Sequence, residues 1–162
     1  MSDPISTLVN RADPPLYVVT TAAGGERAGC VVGFATQASI DPPRFLVAIS
    51  VVNRTWRVAR TASHLAVHLF GRERMDMITL FGGETGDDID KFEHCTWSAG
   101  PAGVPVLDGA AAWFVGTVLE RFELGDHVGH LLEPLAGDES QAAAEGAVTL
   151  RDGATLDPGH PA

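Results

Sequence analysis

The chain has 162 residues, a 45% hydrophobic share and a formal charge of -10 from 11 basic and 21 acidic residues. That length and apolar share suit one globular domain with a single core. A surface so acidic repels phosphate backbones and anionic headgroups, which argues against nucleic acid or membrane as partner.

The N-terminus lacks a basic start followed by an apolar block, and no apolar stretch approaches the span of a bilayer. The expectation is a cytoplasmic protein. Cys30 and Cys95 belong to no C-x-x-C pair and read as reduced thiols.

In chain order, residues 1–15 read as an N-terminal arm or short helix. Leu16 to Thr21 is β-branched and aromatic, a strand composition. Ala23-Gly24-Gly25-Glu26 reads as a hairpin turn, followed by a strand from Arg27 to about Thr36 that Asp41-Pro42-Pro43 stops. Phe45 to Val51 is a strand apolar enough for burial on both faces. Asn53 is placed to cap a short helix through Ala62, and His64 to Phe70 is a further strand. Met75 to Phe81 reads as a helix ended by Gly82-Gly83, and Glu84 to Gly103 as loop. Ala110 to Phe122 is a long strand on which Val128 to Leu135 folds back across Leu124-Gly125-Asp126. Beyond residue 136 the chain turns Ala- and Gly-rich, a tail read as disordered or wrapping a partner. The domain boundaries are therefore 1–15, 16–136 and 137–162.

Alternating βαβ units are missing, so the fold class is mainly β: an antiparallel barrel with short inserted helices. Bland roles suit most isolated motifs. His64 and His68 have metal-like spacing but no third ligand, and adjacent His94 and Cys95 ligate one ion poorly. Asp87, Asp88 and Asp90 read as a solvated acidic loop, so no metal site is assigned. Trp56, Trp97 and Trp113 read as core or interface anchors. Gly24-Gly25 lacks the Lys-Ser/Thr of a phosphate loop.

Ala28 to Pro43, ending in Ser39-Ile40-Asp41-Pro42-Pro43, resembles the signature of the flavin reductase-like family, the FMN-binding split barrels. Asn53-Arg54-Thr55, Asp90-Lys91-Phe92, Gly103-Val104-Pro105-Val106-Leu107 and Gly125-Asp126-His127 resemble further elements of that family, in its order. The resemblance implies a split antiparallel β-barrel that binds a flavin, FMN with FAD as the alternative, and takes hydride from NADH or NADPH. It also implies a homodimer and a partner monooxygenase that receives reduced flavin; the competing reading is an electron carrier or sensor without nicotinamide turnover.

Carried onto this chain, the loop Val31, Val32, Gly33, Phe34, Ala35 and Gln37 runs along the flavin ring, largely through backbone groups. Asn53 and Thr55 meet the phosphate together with Arg54 or Arg57, and His127 lies where nicotinamide docks. One departure is visible: the family's loop carries hydroxyls where this chain has Val31, Gly33, Phe34 and Ala35. Phe34 is accordingly read as packing on the ring or shielding it.

Overall fold

A computed structural model describes residues 3–83, 88–140 and 146–154. Asp3 caps helix α1 (Pro4–Ala12), its carboxylate accepting from Ser6 N at 2.9 Å. Strands β1 (Tyr17–Ala23) and β2 (Glu26–Val32) pair so that Ala23 faces Glu26. The two residues between, Gly24 and Gly25, have φ of 59° and 80°. A hairpin turn of that hand needs positive φ at both positions, which glycine adopts without strain.

The strand expected from Arg27 to Thr36 is broken. β2 ends at Val32, and β3 (Ala35–Ser39) begins after a corner at Gly33 and Phe34. The two halves serve different neighbours: β2 pairs with β1, whereas β3 pairs with β4 (Arg44–Ser50). The corner stays tied to β4 because Ala48 N–H donates to the Phe34 carbonyl at 2.8 Å.

Helix α2 (Arg54–Ala59) has Asn53 as its N-cap, as the sequence predicts, with Asn53 Oδ1 accepting from Thr55 N at 2.9 Å. It stops short of Ala62. There the Arg121 guanidinium donates to the Ala59 and Ala62 carbonyls at 2.8 and 2.5 Å, adding a side-chain donor at the helix end. β5 (His64–Leu69) follows. Then α3 (Met75–Gly83) runs through the glycines expected to end it.

Part of the stretch expected as loop carries structure among its described residues. β6 (Trp97–Ala99) pairs with β7 (Pro105–Leu107), and single 3-10 turns span Lys91–Glu93 and Pro101–Gly103. Three-residue strands are too short to show an alternation in sequence. The long pair is β8 (Ala112–Glu123) and β9 (His127–Glu139).

One antiparallel sheet takes the order β2-β1-β5-β8-β9-β4-β3. Its edge strands, β2 and β3, are consecutive in the chain and joined only through the Gly33–Phe34 corner, so the barrel is split there. Val19, Cys30, Val47, Ile49, Leu65 and Leu132 fill the interior. On the outer side, Val18 packs with Ile78 and Phe81 of α3, with Phe70 and with Leu107. β1 is thus buried on both faces, which is why it reads as an unbroken apolar run.

The segment after residue 136 is not a separate tail where it is described. β9 continues to Glu139, and Val148, fully buried, exchanges backbone bonds with Leu16 and Phe70 at 2.9 and 3.0 Å. Residues 141–145 and 155–162 of the expected tail lie outside the described residues.

Candidate functional site

Three segments distant in sequence meet where the barrel is split. The first is the Gly33–Phe34 corner. The second is the turn from β4 into α2, and the third is the turn from β8 into β9. Ser50 is registered opposite His127, and Val51 N–H donates to the Asp126 carbonyl at 3.0 Å. The Phe34 ring reaches across to His127, with centroids 4.7 Å apart and planes tilted by 47°.

His127 is oriented from behind. Its Nδ1 lies 2.7 Å from Asp126 Oδ1, and the hydrogen bond to His127 holds the Asp126 carboxyl below its ordinary range. With Nδ1 engaged by that carboxylate, Nε2 is the ring nitrogen left without it.

The loop residues expected to touch a ligand divide by direction. Val32 is buried among the interior side chains and Val31 packs partly against the outer cluster, so either offers a ligand only its backbone. A Cβ on Gly33 would meet Leu16 at an ordinary 3.5 Å. Nothing inside the chain therefore demands glycine there, whereas a ligand drawn close to this backbone would. Gln37 is exposed on β3 and bonds the Ser39 carbonyl at 3.3 Å. Phe34 is 57% exposed.

Beyond the β4–α2 turn, Arg54 and Thr55 line a cavity of about 410 Å³. Its walls include Arg27, Arg54, Thr55, Asp88, Asp90 and Lys91. Arg54 donates to the Arg27 carbonyl at 2.9 Å and lies 3.4 Å from Glu26 Oε2. Thr55 is buried and reaches the Cys30 thiol, where enclosure pushes the thiol pKa up and the Thr55 hydrogen bond opposes it. Lys91 is buried too, its Nζ donating to the Gly29 and Phe81 carbonyls at 3.2 and 2.8 Å.

Sequence reasoning missed Arg27 as a wall of this cavity and read Asp88 and Asp90 as a solvated loop; no local pattern shows that Asp90-Lys91-Phe92 folds against β2.

Two further histidines, His68 and His130, are buried in the fold. Nδ1 of buried His68 donates to the Val18 carbonyl, and Nε2 accepts from Leu107 N, each at 2.9 Å; enclosure takes its pKa down to about 4. His130 is buried with Nδ1 on the Val128 carbonyl, and its pKa is also lowered to about 4, first by burial and then by Arg121.

Comparison with known proteins gives the family. The family profile described as flavin reductase like domain matches residues 9–154. Stachydrine N-demethylase reductase subunit Stc3 of Rhizobium meliloti is 31% identical over 114 residues, covering 68% of this chain and 48% of the relative. FMN reductase (NADH) RutF of Methylorubrum extorquens is 29% identical over 119 residues, covering 74% and 58%. The crystal structure of an FMN-binding protein from Thermus thermophilus with bound p-hydroxybenzaldehyde superposes with a TM-score of 0.78. It shares 24% identity and covers 88% of this chain and 81% of that one. The chain spans about half the length of the first curated relatives it matches. With a profile match across most of its length and the split antiparallel barrel in place, the chain belongs to the flavin reductase like domain family.

Proposed function

We propose that the protein is an NAD(P)H-dependent flavin reductase that passes reduced FMN to a partner monooxygenase. The observation that carries this reading is the meeting of the Phe34 corner, His127 and the β4–α2 turn at Ser50 and Val51. Similarity to an FMN reductase (NADH) and to the reductase subunit of a demethylase supports the activity and the division of labour with an oxygenase.

The residues present suit a flavin. The chain offers an exposed aromatic surface at Phe34 and, farther along α2, a polar cavity walled in part by Arg27 and Arg54 together with Glu26, Asp88 and Asp90. That pairing matches a flat apolar ring with an anionic tail. The cavity's volume leaves FAD as the alternative to FMN.

The bound flavin supplies the ring that accepts hydride from nicotinamide, so no protein base is needed. The chain's contribution is position and exclusion of water. Backbone groups from Val31 to Ala35, with Gln37, border the ring edge. Arg54, turned toward the cavity wall, meets the phosphate, with Asn53 and Thr55 fixing the segment that carries it. His127, held by Asp126, presents Nε2 to the incoming nicotinamide.

The protein works as a cytoplasmic homodimer in this account. Leu119 and Phe122 stand exposed on the turn-side half of β8, apolar side chains that a second copy would cover.

The test is consumption of NADH and NADPH by the purified protein with and without added FMN. Consumption that requires both protein and FMN supports the reductase. Tight FMN binding without consumption favours an electron carrier or sensor, and absence of FMN binding contradicts the flavin reading altogether.

A further inference from the structure

Arg27 is an exposed residue of the edge strand β2, yet the fold holds its side chain in a defined place. The guanidinium carbon lies 4.8 Å from the centroid of the Trp97 ring and 5.9 Å from that of Phe92. Phe92 and Arg27 are both walls of the cavity of about 410 Å³, so the guanidinium stands at its rim. Among the described residues it has no carboxylate or carbonyl partner, and the adjacent Glu26 is taken by Arg54 at 3.4 Å. Stacking covers the face of a guanidinium and leaves the N–H groups in its plane to donate. An arginine ordered in this way loses little freedom when an anion arrives.

The other arginine of the cavity is differently placed. Arg54 donates to the Arg27 carbonyl at 2.9 Å, which ties the start of α2 to β2. It is three residues on from Val51, whose N–H holds the Asp126 carbonyl. Their Cα atoms are therefore at most about 11 Å apart. One ligand can reach from the Val51 side of the site to Arg54, and what extends past Arg54 enters the cavity that Arg27 borders.

We propose, resting on the flavin reading above, that Arg27 binds the second phosphate of a flavin dinucleotide and so selects FAD over FMN. The two phosphates of a dinucleotide share a bridging oxygen, so a first phosphate at Arg54 holds the second beside it. The carboxylates on the cavity wall suit the next part of that ligand. Asp88, and Asp90 whose Oδ1 already accepts from Phe92 N–H at 3.0 Å, are acceptors for ribose hydroxyls. The same two charges repel a further phosphate, such as the one that distinguishes NADPH from NADH. A cavity with guanidinium and carboxylate walls thus matches a nucleotide, anionic at one end and hydroxyl-bearing at the other.

Dissociation constants of FMN, FAD and NADPH would be measured by equilibrium dialysis for the wild type, Arg27→Met and Arg27→Lys. Methionine keeps an apolar stem against Trp97 and removes the charge, and unchanged urea midpoints verify the fold. The wild type is expected to bind FAD about tenfold more tightly than FMN. Arg27→Met should abolish that preference, weakening FAD about tenfold and FMN twofold at most. Arg27→Lys, which keeps the charge without the planar fork, should fall between the two. A wild type that binds FAD no better than FMN, equal losses for the two flavins, or a loss confined to NADPH overturns the role of Arg27 and leaves the flavin reading intact. Binding of neither flavin by the wild type overturns that reading and this inference together.

Discussion

Asp126 and His127 are neighbours in sequence whose side chains also bond each other, with Oδ1 and Nδ1 2.7 Å apart at the mouth of the β8–β9 turn. A pair this close fixes the direction of the imidazole. The ring is thereby aimed at the space beside Phe34 before any ligand arrives.

Replacing His127 with Ala is expected to lower kcat/KM for NADH by about tenfold to a hundredfold, the scale of lost substrate positioning. The FMN dissociation constant should change little. Asp126→Asn, which removes the charge but keeps an acceptor near Nδ1, should cost only about threefold, because the pair is partly in solvent. Steady-state kinetics at fixed FMN distinguish the cases; an unchanged rate for His127→Ala would remove its role.

Arg54→Ala is expected to weaken FMN about tenfold and riboflavin about twofold at most, since only FMN carries the phosphate that a charge-assisted bond would hold. Equal losses for both ligands would show that Arg54 acts by holding the β1–β2 turn through the Arg27 carbonyl. Equilibrium binding of the two ligands, measured side by side, checks this.

Stability should depend on pH through the buried histidines. His68 and His130 have folded pKa values of about 4, below the ordinary 6.5. Between those values the unfolded chain binds more protons than the folded one, so stability is full above 6.5 and falls as the pH drops toward 4. For His68 the loss is on the order of 3 kcal/mol over that window. Urea midpoints at pH 7 and pH 4.5 measure it. His68→Leu should be less stable at pH 7, because Leu107 N–H loses its acceptor, and should show a shallower fall with acid. A slope equal to the wild type's would contradict the assignment.

Arg121 joins β8 to the end of α2 through the Ala59 and Ala62 carbonyls. Arg121→Met leaves those acceptors without the guanidinium and should cost about 1–3 kcal/mol in denaturant unfolding. FMN affinity should fall with it, because α2 carries Asn53, Arg54 and Thr55. Full stability in this variant would show that the helix end needs no such cap.

What could be read in the sequence was local, or carried by the family resemblance. The Gly24-Gly25 turn, the Asn53 cap and the long β8–β9 hairpin each rest on a few adjacent residues, and each is found in the structure. The corner at Gly33 and Phe34 was hidden because Val31 to Thr36 has an unbroken strand composition, while the change of partner from β1 to β4 is a tertiary event. The return of Val148 to the core was hidden for the same reason: a single valine in an Ala- and Gly-rich stretch has no periodicity. His127 came from the resemblance, whereas its contact with Phe34 needed the fold. The wall formed by Arg27 and Lys91 joins residues far apart in the chain, which no pattern in one sequence records.

The most direct test of the account is an anaerobic titration of the protein and FMN with NADH, followed at the visible flavin band. The account predicts bleaching that is rapid, stoichiometric in NADH or NADPH and dependent on the protein. Flavin that stays oxidised, or that bleaches no faster than in buffer, would contradict it.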